Sequence, residues 1–196
     1  MSYSQNDEDG YLMRLITDRK LKIPAYFVDF GSCDGIHLNN CRLFAEQGWG
    51  GIFCEPNSTY FAQLKANYQH RADIETINAA VSNRSGFEFF FRYPNHLDHS
   101  GLHDKPKFEP YYSDQVAVVE ASDLIKQEVG IMSIDVEGHE QNILIDLFTA
   151  GIYPCILIVE SNTPQDRKEQ IELLNERYHL LNVLDVNTIW IRRDKW

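Results

Sequence analysis

Four short, almost wholly apolar runs constrain this chain more than any other feature: "AYFVDF" (25–30), "GIFCE" (51–55), "IMSIDVE" (131–137) and "CILIVES" (155–161). Runs this short, without polar alternation, read as strands covered on both faces, the setting of a parallel sheet. Helical patterns separate them. "HLNNCRLFAEQG" (37–48) groups Leu38, Cys41, Leu43, Phe44 and Ala45 on roughly one side and stops at Gly48. "STYFAQLKANY" (58–68), "EQNILIDLFTAG" (140–151) and "QDRKEQIELLNER" (165–177) follow the same logic. "IETINAAV" (74–81) reads as a third strand, and "GFEFFFR" (86–92) as an added one that places Phe89, Phe90 and Phe91 in the core. "QVAVV" (115–119) fits an edge strand, and "ASDLIKQE" (121–128) a short helix opened by Ser122 or Asp123. The final "YHLLNVLDVNTIWIRR" (178–193) reads as two strands around a tight Asp-Val-Asn turn.

Strands alternating with helices predict an α/β domain with a mostly parallel central sheet covered on both faces. A closing antiparallel hairpin on such a sheet is the pattern of the class I methyltransferase, or Rossmann-like, fold. The length of 196 residues fits one domain spanning residues 1–196. Within it, "YPNHLDHSGLHDKPKFEPYYSD" (93–114) has three prolines and no period, so it is expected to be a long loop serving as a substrate lid.

Net charge is −11, the wrong sign for holding long phosphate backbones by counterion release, so no nucleic-acid partner is expected. A small neutral or cationic ligand fits better. Cys33, Cys41, Cys54 and Cys155 form no C-x-x-C pair and match no zinc or disulfide framework. Read as reduced thiols, they suit a cytoplasmic protein. The polar opening "MSYSQNDEDGYL" is unlike a signal peptide, and no run approaches the roughly 20 apolar residues of a membrane span. The sequons at Asn57 and Asn83 are therefore read as accidental.

In an open sheet of this kind, ligands bind beyond the carboxyl ends of the strands. "DFGSCDG" (29–35) stands at the first such end. A dinucleotide site there would want G-x-G-x-x-G. Aligned on Gly31, the second and third glycines are replaced by Cys33 and Ile36, which disfavours a pyrophosphate cradle and an NAD-dependent oxidoreductase. Asp29 and Asp34 would repel a diphosphate but suit a cationic amino-acid group. Glu55, which ends the second strand, is placed to accept both hydroxyls of a ribose. A nucleoside with a positively charged amino-acid tail and no phosphate describes S-adenosylmethionine.

"SIDVEGHE" (133–140) and "VESN" (159–162) stand at two further strand ends. The period of two puts Asp135 and Glu137 on one strand face, with His139 opening the next helix. Asp135, His139 and Glu160 are the candidate ligands for Mg²⁺ or Mn²⁺; alternatively these side chains act directly as base and hydrogen-bond acceptors. His139, oriented by Asp135 or Glu137, is the first candidate for a base that deprotonates a hydroxyl acceptor. In the long loop, His96, His99 and His103 with Asp98 and Asp104 could form a second metal site, line the lid or face water. Asn162, His99, His103 and Tyr111 are the candidate substrate contacts, with Tyr111 and Tyr112 available to stack on a sugar ring.

These motifs together resemble the FkbM family of S-adenosylmethionine-dependent methyltransferases. "SQNDEDG", "FVDFGSCDG", "GWGGIFCEPN", "INAAVS" and "IDVEGHE" run in family order from about Ser4 to Glu160, with Cys33 where the family often has asparagine. The resemblance implies methyl transfer to a hydroxyl of a small molecule or glycan. A carbohydrate is the expected acceptor; a polyketide or other small metabolite, or a non-catalytic binding module, are the alternatives. It further implies that Asp29, Gly31, Asp34 and Gly35 hold the methionine end and Glu55 the ribose, while Ala80 and Ser82 border adenine. Ser32, Pro56, Asn57 and Asp135 are further candidate cofactor contacts. Gln5 and Asp9, within an N-terminal segment of about residues 1–20, would close over the cofactor. Asp135, Glu137 and His139 would face the acceptor.

Overall fold

Pro24 and Gly31 bracket the first apolar run, and between them β1 (Tyr26–Phe30) forms with four of its five residues buried. The computed structural model describes residues 2–94, 100–102 and 106–196. The further strands are β2 (Gly50–Cys54), β3 (Ile74–Ile77), β4 (Ala80–Ser82), β5 (Gly86–Arg92), β6 (Gly101–Leu102), β7 (Tyr112–Glu120), β8 (Ile131–Ile134), β9 (Ile156–Glu160), β10 (Tyr178–Leu184) and β11 (Asn187–Arg192). The helices are α1 (Glu8–Arg19), α2 (Arg42–Glu46), α3 (Ser58–Tyr68), α4 (Ala121–Leu124), α5 (Glu140–Thr149) and α6 (Pro164–Leu174).

Among the described residues the main sheet has seven strands in the order β10-β11-β9-β8-β1-β2-β3. β9, β8, β1, β2 and β3 are parallel neighbours, while β11 and β10 close the sheet antiparallel. Side-chain alternation divides the core in two. Phe27, Phe53, Ile131, Ile156 and Ile158 face one way and pack with Leu12, Phe44 and Leu64 of the first three helices. Val28, Ile52, Met132, Leu157 and Val159 face the other way, against Leu144 and Leu147 of α5 and Leu174 of α6. This is the class I methyltransferase-like architecture expected from the strand–helix rhythm. α6 opens with a capping box, in which Thr163 and Asp166 bond each other's backbone N–H, and carries Pro164 in its first turn.

The structure departs from the sequence reading in several places. Residues 37–41 are not helical: Leu38 has φ +50° and is 67% exposed, and only Arg42–Glu46 coil. Asn39 and Asn40 turn inward to bond Asp29 and Ser133, which competes with helix formation. The run 74–81 breaks at Asn78, whose amide donates to the carbonyls of Glu55 and Pro56, and its end becomes β4 of a second sheet. That sheet has the order β4-β7-β5-β6, so β7 is an interior strand rather than an edge. It also draws residues 101–102 and 112–114 out of the expected long loop. Phe90 and Phe91 are buried, but Phe89 faces solvent. α4 starts directly after Glu120, which makes no side-chain capping bond, and spans a single turn. β8 ends at Ile134, so Asp135 and Glu137 lie in a turn and not on a strand face. Among the described residues, no helix is long and apolar enough to cross a membrane.

Candidate active site

The carboxyl ends of β1, β2, β8 and β9 open onto one cavity of about 840 Å³. Asp29, Gly31, Ser32, Asp34, Glu55, Pro56, Asn57, Ala80, Asp135, Glu137, Glu160 and Asn162 all line it, as does Gln5 from the N-terminal segment. Register explains the convergence: Asp29 pairs with Phe53 and Ser133, which sets the strand ends side by side.

At one end, Asp29 is buried and its Oδ2 accepts from Asn39 Nδ2 at 2.6 Å. Burial pushes its pKa up to about 7, and the charge of Asp135 adds to the effect. Glu55 accepts the Cys33 N–H at 2.8 Å on one oxygen and the Asn57 N–H at 2.7 Å on the other. Burial nonetheless raises it to about 7. Asp34 behaves oppositely. Its own burial would raise it, but the backbone N–H and ring of His37 and the N–H of Ile36 hold it below its ordinary value.

The glycines serve packing first. A Cβ on Gly31 would lie 1.7 Å from the Asp135 carbonyl oxygen, and one on Gly35 would meet Leu64 and Tyr68 at 2.6 and 2.7 Å. Both have positive φ. Gly35 itself is not on the cavity wall. Asn57 Oδ1 caps α3 by accepting the N–H of Thr59 at 3.0 Å.

At the other end, one oxygen each from Asp135, Glu137 and Glu160 lies within 4.8 Å of the other two. Glu137 takes φ +60°, and Gly138 follows at +116°, so the chain doubles back after β8. Glu140 fixes this turn by accepting the N–H groups of Val136 and Gly138. Burial pushes Asp135 up to about 6, with the Glu140 charge reinforcing it. Glu160 is raised further, by burial and then by the Asp135 charge.

His139 does not join this cluster or the cavity wall. Its Nδ1 lies 3.0 Å from Ser82 Oγ and 3.4 Å from Asn142 Nδ2. Burial and then the Arg84 charge hold its pKa below the usual value. Ser82 is likewise buried beneath the wall. Asp9 is also inside the fold: its carboxylate accepts from Ser2 Oγ, Ser4 Oγ and the N–H groups of Tyr3 and Gly10. It thereby shapes the segment that carries Gln5 to the cavity, and Ser4 pairs with Leu38 in a parallel bridge. Tyr111 contacts Phe91 edge-on and is not on the wall. His96, Asp98, His99, His103 and Asp104 lie outside the described residues.

Sequence reasoning missed Asn39, which orients Asp29, and Asn78, which ties the β2 end to the β3–β4 break. Adjacent asparagines inside an assumed helix and an asparagine inside an assumed strand were the available signals, since asparagine favours turns over both. It also missed Tyr60, Phe90 and Leu102, which give the cavity an apolar wall and carry no motif.

The cavity suits S-adenosylmethionine by the chemistry of its donor set: carboxylates stand where a sulfonium, an ammonium and ribose hydroxyls need acceptors. The solved structures bear on the fold. FkbM methyltransferase from Methylobacillus flagellatus matches with a TM-score of 0.59 at 13% identity, over 96% of this chain and 56% of that one. This chain thus spans little more than half the length of that relative. The putative methyltransferase yhhF from Escherichia coli matches with a TM-score of 0.55 at 12% identity, covering 98% and 88% of the two chains. Podospora anserina methyltransferase PaMTH1, solved with S-adenosylhomocysteine, gives 0.54 at 10% identity over 97% and 80%. A comparison with curated proteins found no match. The methyltransferase FkbM domain matches residues 29–185, most of the chain and every strand end described above, and the chain therefore belongs to the FkbM family of S-adenosylmethionine-dependent methyltransferases.

Proposed function

We propose that this protein transfers a methyl group from S-adenosylmethionine to a hydroxyl of a carbohydrate. The observation that carries the reading is one cavity with two acidic ends: Asp29, Asp34 and Glu55 at one, Asp135 and Glu160 at the other. When bound, S-adenosylmethionine supplies a methyl on positively charged sulfur, which leaves as a neutral thioether when the acceptor oxygen takes the methyl.

The residues of the first end divide the cofactor's polar groups. Asp29 and Asp34 would hold the ammonium and sulfonium, Glu55 would accept the ribose hydroxyls, and Ala80 with Phe90 and Leu102 would offer an apolar wall to adenine. Gln5 covers the site from the N-terminal segment. At the second end, Asp135, Glu160 and Asn162 present several oxygens to an acceptor rich in hydroxyls, which favours a sugar over an apolar metabolite. A carboxylate oxygen of Asp135 takes the hydroxyl proton as the oxygen–carbon bond forms. His139, off the cavity wall and bonded to Ser82 and to the backbone of Leu102, positions the start of α5 against the second sheet instead of acting as the base. Fixing both reactants in line is worth roughly 7–11 kcal/mol, and the proton acceptor a further 10²–10⁴-fold, as orders of magnitude.

The test is calorimetric titration with S-adenosylmethionine on wild type and Glu55→Gln, followed by incubation with a panel of glycosides and, separately, apolar alcohols. Products are read by mass spectrometry as the gain of one methyl group. Binding weakened by the substitution, with methylated glycoside as product, is expected. Methylation confined to the apolar alcohols would defeat the carbohydrate assignment, and absence of binding would defeat the cofactor assignment.

A further inference from the structure

The second acidic end is built in a way that direct proton transfer alone does not require. Asp135 follows β8, Glu137 stands two residues on in left-handed backbone, and Glu160 closes β9, with one oxygen of each within 4.8 Å of the others. Glu160 is only 8% exposed, and its Oε2 is buried with no hydrogen-bond partner among the described residues. The Asn162 side chain bonds the Glu160 carboxyl group, but Oε2 itself stays unserved: Gln170 Nε2 donates to the Glu160 carbonyl at 2.5 Å, and the Gln170 Oε1 accepts from Thr188. A buried carboxylate oxygen without a donor is costly, and two like charges beside it add to the cost.

We propose that Asp135, Glu137 and Glu160 hold a hard divalent cation, Mg²⁺ or Mn²⁺, through one oxygen each. The donor set is all oxygen, with no thiol or imidazole in it, which excludes the softer preferences of zinc and copper. In an octahedral shell with bonds of about 2.1 Å, ligand oxygens lie about 3 Å apart when adjacent and about 4.2 Å apart when opposite. The observed spacing reaches that with small side-chain movement. All three residues line the cavity, so the open coordination positions face it and can take water or the hydroxyls of an acceptor.

The cation's role rests on the proposed transfer to a hydroxyl, whose acidity it would raise and whose position it would fix. The carboxylate oxygens not used in coordination remain to take the proton. Binding of the cation, by contrast, does not depend on that reading.

The test is titration of chelator-stripped protein with Mn²⁺, followed by electron paramagnetic resonance, on wild type, Glu160→Gln and Glu137→Gln. Thermal unfolding checks that each variant is folded, and Glu137, in a half-buried turn, is the safer of the two. One Mn²⁺ per chain, displaced by Mg²⁺ and bound at least tenfold more weakly by both variants, is expected. No Mn²⁺ binding to wild type at millimolar concentration, or equal binding by all three proteins, overturns the proposal. Full methyl transfer in excess chelator would also remove the cation while leaving the transferase reading intact. Loss of S-adenosylmethionine binding with Mn²⁺ binding preserved would do the reverse.

Discussion

A methyl group added at Gly31 would land on the carbonyl of Asp135, 1.7 Å away, in backbone with φ +87°. The two strand ends that carry the site are thus packed through the hydrogen atom of one glycine. Gly48 has nearly the same φ, +85°, but nothing within 4 Å of an added Cβ. Gly48→Ala should cost about 1 kcal/mol, the price of left-handed backbone alone. Gly31→Ala should cost on the order of 3 kcal/mol or more and lower the unfolding midpoint accordingly. Equal midpoints for the two variants would show that the close approach is not rigid. The site offers a second comparison. Asp135→Asn should lower turnover by roughly 10²–10⁴-fold, whereas His139→Ala should leave it within about tenfold, because His139 is not on the cavity wall and its ring is bonded to Ser82. Steady-state rates at saturating cofactor decide between them, and a larger loss in His139→Ala would return that residue to the role of base. The acids themselves were legible in sequence, since carboxylates at the ends of parallel strands have no packing use. Which of them converge was not. Glu137 joins the cluster and His139 leaves it because Glu137 takes left-handed backbone (φ +60°), a conformation that a period of two cannot encode.

The central strands of the main sheet, β1, β2, β8 and β9, announced themselves as apolar runs because they are buried on both faces, whereas the edge strands β3 and β10 are only partly buried. Elements that depend on a partner distant in sequence were harder to read. Residues 112–114 became strand only by pairing with Phe90, Phe91 and Arg92, and Leu38 was drawn from its expected helix to meet Ser4. That bridge belongs to an N-terminal segment organised around one buried carboxylate. Asp9 gathers Ser2, Tyr3, Ser4 and Gly10, while the neighbouring Glu8 accepts from Asn187 on β11 at 2.9 Å. The two acids divide the work: Glu8 anchors the helix to the sheet, and Asp9 folds the preceding residues toward the cavity. Asp9→Ala should therefore cost about 2 kcal/mol and speed amide exchange in residues 2–6, with α1 still docked. Cofactor affinity should fall several-fold because Gln5 loses its position. Unchanged affinity alongside faster exchange would show that the segment covers the cavity without contributing to binding.

Across the whole molecule, a net charge of −11 is not spread evenly, because buried Asp29 and Glu55 share one cavity with Asp135 and Glu160. The ligand-free fold therefore keeps protons that the unfolded chain would release. Asp29 rises from 3.8, and Glu55 from 4.5, to about 7 when folded. A carboxyl group whose folded pKa is raised stabilises fully below its unfolded value and loses that contribution as pH climbs through the folded one. Ligand-free protein should accordingly be more stable at pH 5.5 than at pH 8, with Glu55 alone contributing roughly 2 kcal/mol of the difference across that window. Glu55→Gln should flatten the profile. A cationic cofactor reverses the preference, because it binds the ionised acids that destabilise the empty fold. At about 100 times its dissociation constant a ligand adds roughly 2.7 kcal/mol, or about 5–10 °C for a chain of this size. At one fixed concentration of S-adenosylmethionine, the rise in unfolding temperature should be larger at pH 8 than at pH 5.5. S-adenosylhomocysteine lacks the sulfonium charge, so its rise should depend less on pH. A thermal-shift series across that range with both ligands is decisive: equal pH dependence for the two would mean that the strand-end acids do not read the charge on sulfur, and the cavity would owe its affinity to the nucleoside alone.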